Sequence, residues 1–137
     1  MRIKLLNYGK LPTKTHAWDA GYDLYAPFHQ LVPAGGSAII PTGVCFQIPI
    51  GMYGAIRSRS GMMFKHEVIA GDGTIDCGYS GEVKVKLFNL GEKDYEIQVG
   101  DRIAQIVFSP CKYAGFEVVE ELDASDRGSG GFGSTGQ

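Results

Sequence analysis

Glycine and proline interrupt this chain at short, nearly regular intervals, and that spacing limits what it can fold into. Turn-forming groups such as "PAGG", "PTG", "AGDG", "CGYSG" and "NLGEKD" recur about every eight to twelve residues. The runs between them are short and rich in Val, Ile, Phe and Tyr, which favours strands over helices. The sequence therefore predicts an all-β sandwich or barrel built from many short strands.

Two of these runs carry clear strand patterns. The run 82–90 alternates Val83 and Val85 with lysines, which is the period-two pattern of a strand with one buried face. The run 101–110 is largely apolar and ends at Pro110, as expected for a strand buried on both faces.

Outside the strands, one helix and one hairpin are predicted. The helix is short, covering about residues 60–68, with Ser58 or Ser60 as its cap. The segment 71–83 is interpreted as a β-hairpin whose turn holds the "CGYSG" group.

Length and charge set the domain organisation and exclude several partners. The chain has 137 residues, which predicts one β domain over 1–122 followed by a tail over 123–137. A net charge of −2 gives no global field for nucleic acid or an anionic membrane. No signal peptide and no apolar run of membrane-spanning length is present, which predicts a cytoplasmic protein. Three cysteines and three histidines lie far apart, so neither a disulfide framework nor a zinc motif is indicated.

A basic cluster precedes the predicted helix and allows two interpretations. In "IRSRSGM", Arg57 and Arg59 stand beside two serines and Gly61. Together they would bring free backbone N–H groups, hydroxyls and a guanidinium to one place, as a phosphate site requires. The alternative is an ordinary capped helix with two solvated arginines.

Two acidic residues stand beside tyrosines, and each also allows two interpretations. Asp76 could hold a turn or act as a general base over a pocket, and Tyr79 could pack on the hairpin or lie against a sugar or base. Asp23 could belong to an ordinary edge strand or face a phosphate-bound Mg²⁺ through water.

The glycine-rich end of the chain, 127–136, is the last candidate segment. Its composition is typical of a disordered terminus. It would also suit a segment that orders over an anionic ligand, with Arg127 supplying charge and Phe132 covering a flat group.

Five segments, "AGYDLYA", "RSRSGM", "GTIDCGYSGEVKVKLFN", "GDRIAQIVF" and "RGSGGFGSTG", follow one another in an order and spacing that resemble the five motifs of the trimeric dUTPases. The resemblance runs from about residue 15 to residue 136. It implies an all-β, distorted jelly-roll or β-clip barrel with one short helix, a homotrimer that shares three active sites, and a tail exchanged between subunits. It also implies Mg²⁺-assisted hydrolysis of dUTP to dUMP and pyrophosphate, which keeps uracil out of DNA and supplies dUMP for dTMP synthesis.

The resemblance implies roles for individual residues at the nucleoside end of the site. Asp76 matches the catalytic acid that activates the water attacking the α-phosphorus, and Tyr79 matches the ring under the deoxyribose. The stretch from Gly73 through Thr74 and Ile75 to Tyr79, together with the backbone at Lys84, matches the hairpin that reads uracil.

At the phosphate end, the resemblance implies a second group of contacts. The phosphate-binding matches are Arg59, Ser60, Gly61 and Gln105, and Asp23 matches the acid near the hydrated Mg²⁺. The matches in the closing tail are Arg127 on phosphate, Phe132 on uracil, and Gly133.

The sequence departs from the family pattern at Ser80, where a basic or long polar residue is usual, and at Ala70, where many members have Asn. Two alternatives share the fold. A dCTP deaminase would need a glutamate where this chain has Lys86, and a non-enzymatic nucleotide-sensing regulator would be expected to have a damaged catalytic set.

Overall fold

The computed structural model describes residues 1–125 and 128–129 of the chain. These residues form ten strands and one helix, and no described helix has the length and apolar character needed to cross a membrane. The elements are β1 (Arg2–Leu5), β2 (Gly21–Tyr25), β3 (Gln30–Val32), β4 (Ser37–Gln47), β5 (Met52–Arg57), α1 (Ser60–His66), β6 (Val68–Ala70), β7 (Gly73–Ile75), β8 (Glu82–Asn89), β9 (Tyr95–Ile97) and β10 (Arg102–Pro110).

The strands form two four-stranded sheets and one two-stranded ribbon. One sheet has the order β1-β4-β8-β6, the other has the order β2-β10-β5-β7, and β3 pairs with β9. Every recorded pairing between these strands is antiparallel. The prediction of an all-β fold with one short helix is therefore confirmed.

The core lies between the inner faces of the two large sheets. In β8, Val83, Val85 and Leu87 are buried while Lys84 and Lys86 are exposed, which confirms the period-two pattern. Branched and aliphatic side chains of this kind supply most of the favourable free energy of folding.

Strand β10 is central in its sheet but is not buried on both faces along its whole length. Ile103, Ala104 and Ile106 are buried, whereas Gln105 and Val107 are half-buried. A bulge between Arg102 and Ala104 explains why two consecutive side chains point inward, because it sets an extra residue of β10 against β2.

The interpretation of segment 71–83 as a β-hairpin is wrong. Strand β7 pairs with β5, with Ile75 opposite Gly54, whereas β8 pairs with β4 and β6 in the other sheet. The connection between β7 and β8 therefore crosses from one sheet to the other. Local sequence pattern cannot reveal this, because it reports turns and strands but not which distant strand each one joins.

The predicted helix cap is also wrong. The N-cap residue of α1 is Arg59, and it makes no side-chain capping bond. The hydroxyl of Ser58 instead accepts from the backbone N–H of Ala70 at 3.0 Å and donates to the Ala70 carbonyl at 3.2 Å. Ser58 thus ties the segment before the helix to β6, a long-range contact that outweighs the local capping preference.

A buried asparagine gives a test of this fold. The Asn89 side chain donates to the carbonyls of Val32 at 3.0 Å and Lys93 at 2.8 Å, and accepts from the Gly91 N–H at 3.0 Å. Asn89→Ala leaves these groups unpaired, so we expect a loss of about 2–4 kcal/mol in the free energy of unfolding. Urea denaturation at a fixed protein concentration measures this loss.

The matched control is Asn7→Ala, because Asn7 is exposed. We expect that change to stay within about 0.5 kcal/mol of the parent. Equal stability of the two variants would mean that the Asn89 bonds contribute nothing.

Candidate active site

One cavity collects residues from the end of β7 and the start of β8. Its volume is about 310 Å³. The connection that crosses between the sheets lies along this cavity, so residues from both sheets reach it. The lining residues are Thr74, Ile75, Asp76, Tyr79, Glu82, Val83 and Lys84.

The structure thus brings together the residues assigned to catalysis, to the sugar and to the edge of uracil. Gly73 lies just before them on β7, opposite Ile56 of β5. Asp76 is exposed to solvent, which leaves its carboxylate accessible to a ligand and to water. The roles of these residues stay predictions.

Asp76 and Tyr79 belong to one tight turn. The backbone N–H of Tyr79 donates to the Asp76 carbonyl at 3.1 Å, which fixes the two side chains on the same short loop. The Tyr79 hydroxyl donates to the Glu82 carbonyl at 2.9 Å. Gly81 leaves room for the phenol, because a Cβ at that position would collide with it unless the Tyr79 side chain moved.

Glu82 anchors this loop to the rest of the molecule. Its Oε1 accepts from the Gly43 N–H at 2.8 Å and from the Tyr8 hydroxyl at 3.1 Å. Sequence reasoning did not single out Gly81, Glu82 or Tyr8. The "YSGE" sequence of the turn was the available signal for the first two, and Tyr8, on a distant segment, gave none.

A second cavity, of about 240 Å³, lies along α1, from its N-cap residue to its last turn. Arg59 and Gly61 line it, and Ser60 is exposed beside them. A Cβ on Gly61 would meet only open space, so nothing in the described chain covers this corner. The remaining lining residues are Met62, Lys65, His66, Tyr95, Asp101 and Arg102.

Tyr95 forms one wall of the second cavity and packs against the ring of His66, with the ring centroids 5.0 Å apart. Burial raises the pKa of the Tyr95 phenol, the Asp101 carboxylate raises it further, and Arg59 acts in the opposite direction. The phenol therefore stays protonated at neutral pH and keeps a hydrogen to donate.

Three charged side chains meet beside this cavity. Oδ1 of Asp23 accepts from Nε of Arg59 at 2.8 Å, and Oδ2 of Asp23 accepts from Nη1 of Arg102 at 3.3 Å. Nη1 of Arg59 also donates to the Arg102 carbonyl at 3.1 Å. Sequence reasoning did not single out Arg102, although it stands in the quoted "GDRIAQIVF" segment.

Gln105 lies next to this cluster, directly opposite Asp23 on β2 and Arg57 on β5. Its side-chain amide donates to the Ser58 carbonyl at 3.0 Å. Gly21 leaves room for it, since a Cβ there would collide with the Gln105 amide. Gln105 therefore helps to set the backbone that leads to Arg59.

Within one chain, the two cavities are separate. They share no lining residue. Ile75 lies opposite Gly54, so Asp76 is level with the start of β5, whereas Arg59 follows its end. From the level of Asp76, at Tyr53, to the end of β5, at Arg57, four residues of extended strand span about 13 Å.

The predicted tail residues, Arg127, Phe132 and Gly133, lie outside the described residues. Their assignment to the site stays a prediction.

Comparison with known proteins identifies relatives along nearly the whole chain. The dUTPase family model matches residues 7–136. The deoxyuridine 5'-triphosphate nucleotidohydrolase of Candida albicans is 50% identical over 131 residues, which cover 94% of this chain and 82% of the relative. The protein of the same name from Solanum lycopersicum is 44% identical over 133 residues, covering 97% of this chain and 79% of the relative.

Solved structures of dUTPases also resemble this chain in fold. The dUTPase of Staphylococcus bacteriophage 80alpha with dUPNHPP has a TM-score of 0.90 and 30% identity, covering 99% of this chain and 98% of that chain. A mutant dUTPase from phage phi11 of S. aureus, which coordinates a structural Mg(II) ion, has a TM-score of 0.83 and 26% identity, covering 88% of this chain and 97% of that one. The predicted jelly-roll type of fold and the resemblance of the five segments are thereby confirmed. The chain belongs to the dUTPase family of nucleotide-hydrolysing enzymes.

Proposed function

We propose that this chain hydrolyses dUTP to dUMP and pyrophosphate by attack of water on the α-phosphorus. The observation that carries the proposal is the cavity in which Asp76, Tyr79 and Lys84 converge, in a chain of the dUTPase family. The reaction would keep uracil out of DNA and supply dUMP for dTMP synthesis.

Asp76 is the general base in this proposal. Its carboxylate takes one proton from the attacking water as the oxygen bonds to the α-phosphorus, and the bond from that phosphorus to the bridging oxygen breaks. Pyrophosphate leaves with the electron pair of that bond. The short turn that ends at Tyr79 supports this role, because it keeps Asp76 within three residues of Tyr79, the proposed contact of the sugar.

The residues fit a Mg²⁺ ion held chiefly by the substrate. No group of three His, Cys, Asp or Glu side chains that could hold a metal is found in residues 1–125 and 128–129. Mg²⁺ is commonly bound through one or two carboxylates together with substrate phosphates, and it keeps several waters. Asp23 could contact such a water, since only two of its lone pairs face arginines. The ion would neutralise phosphate charge.

The residues at the N-terminal end of α1 supply positive charge for the binding of a triphosphate. Arg59, the N-cap residue of α1, supplies a guanidinium to the lining of the second cavity, with Ser60 and Gly61 beside it. Gln105 adds a polar side chain next to them. Planar guanidinium groups suit phosphate oxygens because they donate two parallel hydrogen bonds.

Hydrolysis of dUTP in ¹⁸O-labelled water tests both the reaction and its position. We expect dUMP and pyrophosphate in equal amounts, with the label in dUMP. Label in pyrophosphate would mean attack on the β-phosphorus, and no turnover with Mg²⁺ present would overturn the proposed function.

The deaminase alternative is disfavoured by the residue on β8. Lys86 is exposed there, and its Nζ lies 5.1 Å from the centroid of the Phe88 ring. The glutamate of a deaminase must take up protons and pass them on at the cytosine ring. An ammonium group has no lone pair with which to take up a proton, so Lys86 cannot do this. Release of ammonia from dCTP would revive that alternative. The nucleotide-sensing regulator stays a prediction of a second activity.

Discrimination against UTP is assigned to Tyr79. Uracil is the same in dUTP and UTP, so the site must exclude the 2′-hydroxyl, and the aromatic ring of Tyr79 in the lining of the cavity gives a surface for this. We expect Tyr79→Ala to raise kcat/KM for UTP relative to dUTP by at least about tenfold. Competing the two nucleotides in one reaction measures the ratio directly.

Tyr79→Phe is the matched control, since it keeps the ring and loses only the bond to Glu82. We expect it to stay near the parent ratio. If the unaltered enzyme already turns over UTP as fast as dUTP, Tyr79 does not have this role.

Separation of the two cavities supports a site shared between subunits. Asp76 must act on the α-phosphorus while Arg59 holds phosphates of the same nucleotide, yet in one chain they lie at opposite ends of β5. A neighbouring copy that supplies Arg59 to the Asp76 cavity resolves this conflict. Three copies around a three-fold axis would form three equivalent sites.

The segment after β10 also supports assembly. Residues 111–125 form no strand or helix, and Phe116 and Val118 are 97% and 99% exposed. An apolar cavity of about 460 Å³ lies beside the edge strand β1, and Lys14 is one of its lining residues. We call residues 111–125 the arm, and its acidic residues are Glu117, Glu120, Glu121 and Asp123. The basic residues that could face it are Lys14 in the cavity and Arg2 and Lys4 on β1. An arm of one copy laid along β1 of another would cover both apolar surfaces.

Complementation between two inactive variants tests the shared site. Asp76→Asn lacks the base and Arg59→Ala lacks the phosphate contact. In trimers refolded from an equal mixture, about a quarter of the sites should combine both intact residues, so about a quarter of the parent activity should return. Light scattering should give three times the mass of one chain.

Each variant refolded alone is the control and should stay inactive. An active monomer, or mixtures no more active than their components, would show that each chain carries its own complete site.

A further inference from the structure

Asp23 stands where three segments distant in sequence meet, on β2, before α1 and at the start of β10. We propose that Asp23 is a positioning residue that holds the Arg59 guanidinium in the orientation in which it grips the substrate phosphates. This inference rests on the proposed function, since the ligand of Arg59 is there the triphosphate of dUTP.

Arg59 is held from two directions. Asp23 accepts from its Nε at 2.8 Å, and the Arg102 carbonyl accepts from its Nη1 at 3.1 Å. The side chain is 24% exposed, so it is partly enclosed by its neighbours. In the part of the chain that the structure describes, no partner is recorded for Nη2, which leaves that nitrogen for a phosphate oxygen. A guanidinium fixed in this way loses less rotamer entropy when it binds.

Arg102 fixes the other oxygen of the same carboxylate. Its Nη1 donates to Asp23 Oδ2 at 3.3 Å and to the Thr15 hydroxyl at 3.3 Å. The bulge in β10 allows this, because it leaves Arg102 outside the core while the next two side chains are buried. With both oxygens engaged, the Asp23 carboxylate is held facing Arg59.

The charge of Asp23 allows its positioning role to be distinguished from a role in holding a cation. Asp23 is a negative charge beside a site for a polyanion, so by charge alone its removal should tighten nucleotide binding in the absence of Mg²⁺. If Asp23 positions Arg59, its replacement should weaken nucleotide binding without Mg²⁺. If Asp23 acts only on the hydration shell of Mg²⁺, its replacement should leave that binding equally tight or tighter. The direction in which the affinity changes therefore distinguishes the two roles.

Titration calorimetry with the dUTP analogue dUpNHpp, first in EDTA and then in Mg²⁺, measures this change in affinity. The proteins are the parent, Asp23→Asn, Asp23→Glu, Arg59→Ala and the double variant Asp23→Asn/Arg59→Ala. The control is Asp72→Asn, which breaks an exposed ion pair of the same kind, from Asp72 to Arg57 at 3.0 Å. Thermal unfolding and light scattering verify that each protein is folded and assembled.

In EDTA we expect Asp23→Asn to bind about tenfold more weakly than the parent. The double variant should bind no more weakly than Arg59→Ala alone, because the two residues act as one unit. Asp23→Glu keeps the charge and moves the carboxylate by one methylene, so it should also weaken binding. Asp72→Asn should bind like the parent.

Binding in EDTA that is unchanged or tighter in Asp23→Asn and Asp23→Glu, with only a higher Mg²⁺ requirement, would overturn the positioning role. The proposed function would survive that result. It fails separately, if the parent binds dUpNHpp but does not hydrolyse dUTP.

Discussion

Replacing Asp76 by Asn should lower the rate of the chemical step by about 10²–10⁴-fold. Asn has nearly the same shape as Asp but cannot take the proton of the attacking water. The turn should survive, because its bond from the Tyr79 N–H ends on the backbone carbonyl of residue 76 and not on the side chain. Binding of dUpNHpp should therefore change little. Single-turnover hydrolysis with enzyme in excess isolates the affected step.

Asp72→Asn is the matched control on the same segment, since Asp72 is exposed and pairs with Arg57 outside the cavity. Its single-turnover rate should stay within about threefold of the parent, as expected for an exposed ion pair. A near-normal rate in Asp76→Asn would remove Asp76 from the role of base, whatever its position.

A chain stopped after Asp126 should fold and assemble normally but hydrolyse dUTP about a hundredfold more slowly, or slower still. The resemblance assigns Arg127 to phosphate and Phe132 to uracil, so the truncated chain loses a charge-assisted contact and a stacked ring. Closure of a segment over a ligand excludes water and fixes the reacting geometry, so its loss should affect chemistry more than assembly. Single-turnover hydrolysis by the full and shortened chains measures this.

Phe132→Ala should give an intermediate rate, because it keeps Arg127 and the backbone N–H groups of the tail. Thermal unfolding and light scattering of the shortened chain should match the parent, since the described core and the arm over 111–125 remain. Equal rates for the full and shortened chains would return the tail to the interpretation of a terminus without a role.

Much of the fold could be predicted from local pattern. Alternation in β8 identified its buried face at Val83 and Val85, because side chains in a strand point to opposite sides in turn. Turn residues delimited the short strands, and the five motifs indicated the family that the comparisons confirm. Such features depend on near neighbours in sequence, which the sequence displays directly.

Local pattern failed where a distant segment decided the outcome. The segment 71–83 has the appearance of a hairpin, yet β7 joins β5 while β8 joins β4 and β6. Ser58 has the identity of a helix cap, yet its hydroxyl bonds to Ala70, twelve residues away. Strand partners and hydroxyl partners are chosen by the packing of the whole domain, which has no signature in a short window.

The sequence alone determined the class of fold, the family and the residue types available for chemistry, because these follow from composition, periodicity and motif order. Only the tertiary structure decided how those residues are grouped. It joined Asp23 to Arg59 and Arg102 across 36 and 79 residues of sequence, and placed Asp76 at the other end of β5. The physical reason is that ion pairs and strand registers of this kind form only when the packed sheets bring remote segments within a few ångströms of each other.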